Sequence, residues 1–508
     1  MRLSSWLRST RSRPVPSGTP DGIPARRTKC APSTRLSVEH LEDRVVPSTF
    51  VVHTLADSGP DSLRAAITAA NANPGADVIR FAGVARSGTI SLTSGELGIT
   101  DDLRIDGPGA GRLTVSGNDA SRVFRIGSGA EASIDDLTVT RGRAAGQGGG
   151  ILNAGTLTLS RAVLSDNVVV GIQGASLGAV VDAFGGGVFN TGTLTVRHSL
   201  FVHNQSVGAD GTPTSIGSSA LGGAIMSAGP AGSPATAAVS HSTFLDNQAV
   251  GGVAGAGASR AGVGGAIMNA VGAFTVSHSH FHNNQAVGGF ENGVPGGFGA
   301  GSGGAIANVA RVGDAILSVS DSTLTNNRAV GGAAGAGFTA QDGRGGAIAN
   351  FVFGGLPPSA TVTASATVTH CTILGNQAVG GAGTTGGNGQ GGGIANLNGG
   401  ALTVSDSLIA LNRATGGAGD GGNGGDGQGG GVFNGGAIPI RPSHLTLQGS
   451  LIALNEADGG AGDGGSAGLG QGGGLYLVPG GLATADAWTL VFANDASTSD
   501  DDVFGILV

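Results

Sequence analysis

Short runs in which apolar and polar residues alternate recur along most of this 508-residue chain. In residues 402–412, Leu402 and Val404 fall on one face, Asp406 marks a bend, and Leu408 begins a second apolar run. An alternation of period two predicts a short strand with one buried face. Most of the chain is therefore predicted to form short strands separated by bends.

The strands belong to a longer repeat. A block of two glycines, a third small residue and an aliphatic residue occurs nine times, and successive blocks start 37 to 46 residues apart. The blocks begin at Gly148, Gly185, Gly222, Gly264, Gly303, Gly345, Gly391, Gly429 and Gly472. A period of this length indicates a stacked solenoid rather than a globular core.

Equivalent strands of successive repeats are predicted to pair in parallel, which gives an all-β, right-handed parallel β-helix. We favour one rung (one turn of the β-helix) per repeat, with the surplus Gly/Ala-rich residues in a long loop at one corner; two short rungs per repeat are the alternative. The paired glycines fit a tight corner with positive φ, where a Cβ atom would clash between rungs.

Two rows of polar residues recur with the same period. We interpret them as ladders of stacked side chains, in preference to a ligand-binding row. The first row comprises Asn167, Asn204, Asn247, Asn284, Asn327, Asn376, Asn412 and Asn455, and the second Asn153, Asn190, Ser227, Asn269, Asn308, Asn350, Asn396 and Asn434.

Four segments are predicted along the chain. Residues 1–48 form a basic, disordered leader or sorting segment, 49–140 an N-terminal cap with entry rungs, 141–478 the nine-repeat β-helix, and 479–508 a closing segment. Within the cap, we predict a helix from about Asp61 to Ala72 that covers the open end of the solenoid. Its apolar face consists of Leu63, Ala66, Ile67 and Ala70.

Several motifs resemble those of known proteins. Gly-Gly-Ala-Ile at Gly222, Gly264, Gly303 and Gly345, with Phe-x-x-Asn at 201–204, 244–247 and 281–284, resembles the repeats of polymorphic outer membrane proteins. Residues 61–67 resemble the Cys-Ser-Leu-Arg-Glu-Ala module that precedes β-helices, but Asp61 replaces its cysteine and Ala65 its glutamate, so only a capping role is implied. Residues 36–48 resemble an amino-terminal motif of large bacterial exported proteins. The resemblances imply an extracellular, cell-surface or outer-membrane location in a bacterium and a role in adhesion.

Charge and cysteine content exclude some classes of protein. Residues 1–48 have a net charge of +5 and residues 49–508 a net charge of −13, which argues against a nucleic-acid partner for the body of the chain. There are two cysteines, Cys30 and Cys371, so we expect no disulfide framework; Cys371 stands where other repeats have Ser and is interpreted as a small interior residue. No apolar stretch reaches the length of about 18 residues that a transmembrane helix needs.

The residues that could carry chemistry are mainly histidines. His198, His241, His278 and His370 share one register, with His203, His280 and His282 close by, so a transition-metal site was weighed against an ordinary solvent-facing bend, which we favour. The acids Asp246, Asp321 and Asp406 are predicted to be scattered. Loops 416–427 and 459–463 resemble calcium-binding Gly/Asp repeats but lack their apolar residue, and we favour flexible corner loops. No catalytic, cofactor-binding or metal residue is therefore assigned, and calcium is kept as an alternative only.

The function predicted from these observations is a non-enzymatic exported or surface scaffold, structural or adhesive, with polysaccharides or surface proteins as partners. The alternative is a polysaccharide lyase or glycoside hydrolase that acts on one face of the β-helix, since such a fold can present carboxylates on an exposed strand face.

Overall fold

The computed structural model describes residues 47–508, except 175–179, 213, 216, 231, 256–259, 292–298, 354–361 and 437–440. Equivalent positions of successive repeats lie side by side in parallel sheets; Leu157, for example, pairs with Leu194 and Leu194 with Ala237. Each repeat therefore contributes one rung, and the alternative of two short rungs is wrong. The fold is a right-handed parallel β-helix, as predicted.

Four parallel sheets run along the described part of the chain. Sheet 1 contains two strands from most rungs, namely Thr49–Val52, Asp77–Phe81, Leu97–Ile99, Leu103–Asp106, Phe124–Ile126, Glu131–Asp135, Ile151–Asn153, Thr156–Ser160, Val188–Asn190, Thr193–Arg197, Ile225–Ala228, Ala235–Ser240, Ile267–Ser277, Ile306–Ala310, Ala315–Ser320, Ile348–Val352, Ala364–Thr369, Ile394–Leu397, Ala401–Ser405, Val432–Gly435, His444–Gln448, Leu475–Leu477, Leu482–Ala485 and Val503–Phe504. Sheet 2 contains Gly88–Ser91, Leu113–Ser116, Thr138–Thr140, Val163–Ser165, Leu200–Val202, Thr243–Leu245, His280–His282, Thr323–Thr325, Thr372–Leu374, Leu408–Ala410, Leu451–Ala453 and Leu490–Phe492.

Sheets 3 and 4 have fewer strands than sheets 1 and 2, and their strands are two or three residues long. Sheet 3 contains Arg143–Ala145, Val168–Val170, Gln205–Val207, Gln248–Val250, Gln285–Val287, Arg328–Val330, Gln377–Val379, Arg413–Thr415, Glu456–Asp458 and Asp495–Ala496. Sheet 4 contains Ala183–Phe184, Ala220–Leu221, Gly262–Val263, Gly301–Ser302, Gly343–Arg344, Gly389–Gln390, Gly427–Gln428 and Gly470–Gln471, and the loops add the pair Gly419–Gly422 and Gly462–Gly464. The helices are Leu63–Ala72 and the 3₁₀ turn Gly83–Arg86.

The interior is one continuous apolar column in which like residues stack. Phe201, Phe244 and Phe281 lie in successive rungs, with ring centroids 4.8 and 4.7 Å apart, and Leu324 and Ile373 continue the same column. Their spacing is that of neighbouring strands in a sheet. The core can therefore be narrow and poor in aromatics, because each rung supplies part of the contact surface of the next.

The first asparagine row is a buried ladder. The Asn247 side-chain amide donates to Oδ1 of Asn284 at 2.9 Å, and the same oxygen accepts the Asn247 backbone N–H at 3.0 Å. The pattern repeats along the row from Asn167 to Asn494. Every asparagine of this row between Asn167 and Asn412 is fully buried. The ladder interpretation is thus confirmed, since amides that are buried and hydrogen-bonded to each other are not available to a ligand.

The paired glycines form a corner that no larger residue fits. Gly185 has φ of +68°, and a Cβ atom there would lie 2.1 Å from the carbonyl oxygen of Val188. A Cβ atom on Gly186 would lie 2.3 Å from the carbonyl oxygen of Gly223 in the next rung. The first glycine is required by its own turn, and the second by the distance between rungs.

The two Gly/Asp loops are hydrogen-bonded to neighbouring loops, which the sequence did not predict; that they are flexible stays a prediction. Where these loops are described between residues 380 and 470, each one leaves its rung and returns to it. The outgoing and returning segments alternate in one hydrogen-bonded ladder. In that ladder Gly417 N–H donates to Gly387 O at 2.8 Å, and Gly425 N–H donates to Gly417 O at 2.9 Å. A Cβ atom on Gly417 would lie 1.8 Å from Gly381 O, so only glycine allows this approach.

The N-terminal helix covers the end of the apolar column. Its predicted face of Leu63, Ala66, Ile67 and Ala70 is buried, but the helix begins at Leu63 rather than Asp61. The reason is local: Ser62 is the N-cap, and its hydroxyl accepts the backbone N–H of Ala65 at 3.2 Å.

Asp57 ties this helix to the first rungs. Its carboxylate accepts the Thr93 and Ser94 backbone N–H groups at 3.0 and 2.9 Å and the Arg64 guanidinium at 2.8 Å. Burial alone would raise the pKa of Asp57, but the hydrogen bonds from Ser94 and Thr93 and the Arg64 charge outweigh it and hold the pKa at about 2.

Cys371 occupies a third, serine-based ladder, as expected for a small interior residue. Its backbone N–H donates to the Ser407 hydroxyl at 3.0 Å, in the way that Ser279 donates to Ser322. The side chain is buried, which raises the pKa of the thiol to about 11. Cys30 lies outside the described residues.

Candidate functional site

The outer face of sheet 2 is bordered by two columns of turn residues, with one residue per rung in each column. The first corner column, between sheets 1 and 2, comprises Arg161, His198, His241, His278, Asp321, His370, Asp406 and Gly449. The second corner column, between sheets 2 and 3, comprises Arg141, Asp166, His203, Asp246, Asn283, Asn326, Gly375, Leu411, Leu454 and Ala493. All have φ between 48° and 67°, a left-handed conformation that Asn, Asp, His and Gly adopt most readily.

The structure separates the histidines singled out from the sequence into three groups. His198, His241 and His278 stack in successive rungs, with ring centroids 4.9 and 4.8 Å apart. His370 lies in the same column but beyond Asp321, and His203 lies in the other column. The remaining two, His280 and His282, are exposed on the strand between the columns.

One histidine of the second corner column is held between two carboxylates. Nδ1 of His203 lies 3.7 Å from Oδ1 of Asp166 in the preceding rung, and its Nε2 lies 3.6 Å from Oδ2 of Asp246 in the following rung. The three residues line an open concavity of about 560 Å³ together with Val168, Gln205 and Gln248. Two carboxylates, one imidazole and two side-chain amides are thus gathered on one exposed corner.

The two carboxylates differ in their surroundings. Asn283, in the next rung, donates its side-chain amide to Oδ1 of Asp246, which leaves Oδ2 facing His203. The Asp246 side chain is 29% exposed, against 56% for Asp166. Asp246 is therefore the carboxylate whose orientation is fixed, while Asp166 is the more exposed of the two.

The cluster was not predicted from the sequence, because its two acids flank a histidine and are not adjacent to each other in the stack of rungs. A signal was present: Asp166, His203 and Asp246 each immediately precede a ladder asparagine, so they share one position of the repeat. The prediction that the acids are scattered is therefore wrong for Asp246, which shares its position in the repeat with Asp166 and His203. Asp321 and Asp406 likewise share a column with His370.

A second, looser arrangement of the same kind lies in the first corner column. His370 lies 3.8 Å from both Asp321 and Asp406 through its two ring nitrogens. The His370 and Asp406 side chains are each 60% exposed. Among the described residues, no side-chain amide donates a hydrogen bond to the carboxylate of Asp321 or Asp406. We regard the cluster around His203 as the better candidate, because it lines a concavity and one of its carboxylates is held in place.

The Gly/Asp loops use their polar side chains to join neighbouring rungs. Asp426 Oδ1 accepts the Leu469 backbone N–H at 2.8 Å, and Asn423 Oδ1 accepts that of Ser466 at 2.9 Å. In the described part of the chain, no group of three His, Cys, Asp or Glu side chains converges on a point where it could hold a metal ion. No helix among the described residues is long and apolar enough to cross a membrane.

Comparison with known proteins gave matches among solved structures alone; no protein family and no curated protein matched. A mannuronic acid specific polysaccharide family 6 lyase from human gut microbiota is 10% identical, with 79% of this chain and 87% of that chain covered and a TM-score of 0.30. The catalytic domain of a GH87 α-1,3-glucanase is 12% identical, with 85% and 68% covered and a TM-score of 0.36. A PL6 alginate lyase is 12% identical, with 81% and 86% covered and a TM-score of 0.30.

These comparisons contradict the predicted non-enzymatic scaffold. The solved chains that match are described as polysaccharide lyases and glycoside hydrolases, the class given above as the alternative prediction. At these identities and TM-scores the likeness concerns the fold alone. The reaction and the substrate must therefore be argued from the residues of this chain.

Proposed function

We propose that this chain is a glycoside hydrolase that cleaves a neutral polysaccharide at the second corner column, with inversion at the anomeric carbon. The observation that carries the proposal is His203 held between Asp166 and Asp246 at the rim of a concavity. The facing oxygens of the two carboxylates are at most about 9.5 Å apart, at the upper end of the range for inverting enzymes. Because the His203 ring lies directly between them, the sugar and the attacking water must lie in the open concavity, over the outer edge of the ring.

The roles follow from the surroundings of each group. Asp246, fixed by Asn283, takes a proton from water as the water oxygen attacks the anomeric carbon. Asp166, more exposed and on the far side of His203, gives a proton to the glycosidic oxygen as the C–O bond breaks. Gln205 and Gln248 border the same concavity and offer amide groups to sugar hydroxyls.

His203 completes the proton balance. After each inverting turnover the base carries a proton and the acid lacks one, so a proton must return from Asp246 to Asp166. Nε2 of His203 faces the Asp246 carboxylate, and Nδ1 faces the Asp166 carboxylate. By accepting at Nε2 and donating from Nδ1, one imidazole returns the proton without a change in net charge. The ring is then protonated at Nε2 instead of Nδ1, and because its side chain is 56% exposed, proton exchange with water restores the starting tautomer before the next turnover.

Charge favours a neutral substrate over a polyuronate. The residues that line the concavity include two carboxylates and no Lys or Arg, and residues 49–508 carry a net charge of −13. Uronate groups would meet like charge at this site. This supports a hydrolase rather than a lyase, which must neutralise a substrate carboxylate.

We also place the protein outside the cytoplasm of a bacterium. A polysaccharide substrate requires access to an extracellular polymer, and the Gly-Gly-Ala-Ile repeats and residues 36–48 resemble those of exported bacterial β-helix proteins. The capping role proposed for residues 61–67 agrees with the buried helix face described above.

The test is an assay of the full chain on neutral and uronate polysaccharides, with reducing ends and absorbance of unsaturated sugars measured in parallel. We expect reducing ends from a neutral glycan and no unsaturated product. Asp246→Asn and Asp166→Asn should each lower kcat by about 10²–10⁴-fold, the usual contribution of a general acid or base.

The relay has its own readout. His203→Ala should lower kcat while KM changes little, and free imidazole should restore part of kcat because it can carry the proton between the carboxylates. His280→Gln, an exposed histidine on the same face, is the matched control and should keep the parent kcat. Absence of cleavage on every glycan, unsaturated products, or unchanged kcat in both aspartate variants would overturn the proposal.

A further inference from the structure

Three imidazoles of the first corner column form a regular stack on the surface. His198, His241 and His278 occupy successive rungs, with centroids 4.9 and 4.8 Å apart and ring planes 32° and 5° from parallel. All three side chains lie in exposed residues, so their rings can rotate about χ2 without disturbing the core. The backbone supporting them is a buried serine ladder: Ser199 N–H donates to the Ser242 hydroxyl at 3.1 Å, and Ser242 N–H to that of Ser279 at 3.2 Å.

The spacing of this stack matches what a transition-metal ion needs from two imidazoles. Zn²⁺ binds imidazole nitrogen at about 2.0–2.1 Å in tetrahedral geometry, which puts the centroids of two ligating rings about 5 Å apart. The distance between neighbouring strands of a parallel sheet, about 4.8 Å, therefore supplies nearly the required separation. The rings are exposed and free to rotate about χ2, and an ion between two rungs requires such a rotation to bring two nitrogens towards one point.

The fold does not itself require histidine here. The same column has Arg161, Asp321 and Gly449 at equivalent positions, with the same left-handed φ. The backbone conformation of the corner therefore does not explain why three consecutive rungs carry histidine. Asp321 follows directly after His278 and places a carboxylate at the end of the stack, which favours cations.

We propose that the stack binds divalent transition-metal ions of the Zn²⁺, Ni²⁺ and Cu²⁺ class, one ion between two adjacent imidazoles, with water as the other ligands. The site is separate from the cluster around His203, which lies in the other column, and does not depend on the proposed hydrolase activity. No three ligating side chains converge within the described residues, so each site takes two ligands from the chain. His241 is shared by the two pairs and is the decisive residue.

The test is titration of the full chain with Zn²⁺ by calorimetry, and with Cu²⁺ by electron paramagnetic resonance to count bound nitrogens. His241→Asn removes both pairs but keeps a residue that adopts positive φ readily, so the fold should persist. We expect at least tenfold weaker binding in this variant and a two-nitrogen signal in the parent. His198→Asn, which leaves the pair His241–His278, should retain one site.

The matched control is His370→Asn, an imidazole of the same column whose neighbours are carboxylates. It should bind Zn²⁺ within twofold of the parent. No saturable Zn²⁺ binding below 1 mM, or equal affinity in parent and His241→Asn, would overturn the proposal.

Discussion

The buried asparagine ladder makes a quantitative prediction at Asn284. Its Oδ1 accepts the backbone N–H and the side-chain amide of Asn247, at 3.0 and 2.9 Å. Its own side-chain amide donates to Phe244 O at 3.0 Å and to Asn327 Oδ1 at 2.9 Å. The substitution Asn284→Ala removes all four hydrogen bonds from a site that is fully buried.

The expected loss of unfolding free energy is about 4 kcal/mol, from four hydrogen bonds at about 1 kcal/mol each. One of the four lost bonds leaves the backbone N–H of Asn247 without its acceptor, Oδ1 of Asn284. A buried donor without an acceptor costs about 1–3 kcal/mol, so about 4 kcal/mol is the lower estimate for the four bonds together. The Asn247 side chain keeps one bond, to Phe201 O at 3.0 Å, so it is only partly affected. The damage should be centred on the rungs that contain Asn247 and Asn284.

The assay is urea unfolding combined with native-state hydrogen exchange, because a solenoid can open locally without unfolding as a whole. Exchange at the Asn247 amide should become faster by about 10³-fold, the factor that corresponds to about 4 kcal/mol. The control is Gln285→Ala, the adjacent residue, whose side chain points outward; its unfolding free energy should change by no more than about 0.5 kcal/mol. A change below about 1 kcal/mol in Asn284→Ala, or equal changes in the two variants, would refute the reasoning.

Three further predictions concern the corners, the cap and the interior. Gly223→Ala should destabilise the protein by about 3 kcal/mol, because its Cβ would lie 2.0 Å from Gly265 O, whereas Gly98→Ala, which meets no atom within 4 Å, should be neutral; thermal unfolding of the two variants compares them. Asp57 has a folded pKa of about 2, below its ordinary value of 3.8, so its ionised carboxylate should add about 2 kcal/mol to the free energy of unfolding above pH 4, and this contribution should be lost as the pH falls towards 2. The unfolding free energies of the parent and of Asp57→Asn should therefore differ at pH 7 and converge near pH 2. A difference that stays constant with pH would contradict this. In a Cys30→Ser background, Cys371 should resist a thiol reagent at pH 8 until the protein is unfolded, because its thiol is buried and its pKa is raised to about 11; rapid labelling of the folded protein would be the contrary result.

Much of the fold follows from residues that see the same neighbours in every rung. The ladder asparagines, the paired glycines and the alternating core residues recur at fixed positions in the repeat, so stacking like on like predicts their environment. The cap helix was also predictable, because Leu63, Ala66, Ile67 and Ala70 have helical spacing. The helix begins at Leu63 and not at about Asp61 because the hydroxyl of Ser62 caps it.

The hydrogen bonding among the glycine-rich loops could not be predicted from the sequence, for a physical reason. Glycine lowers the propensity of an isolated segment for any one structure, so the sequence favoured flexibility. In the β-helix, segments of successive rungs approach so closely that only glycine fits, and their backbone groups bond to one another, as Gly425 does to Gly417. The same lack of a side chain that disorders a single loop permits a stack of loops to order.

The sequence by itself determined the period, the parallel β-helix, the ladders and the cap, because these depend on local patterns that repeat. The tertiary structure decided which outward side chains become neighbours. Asp166, His203 and Asp246 are 37 and 43 residues apart, and their contact exists only because loops of different length return each rung to the same register. A candidate site assembled between rungs depends on that register, which no single repeat contains.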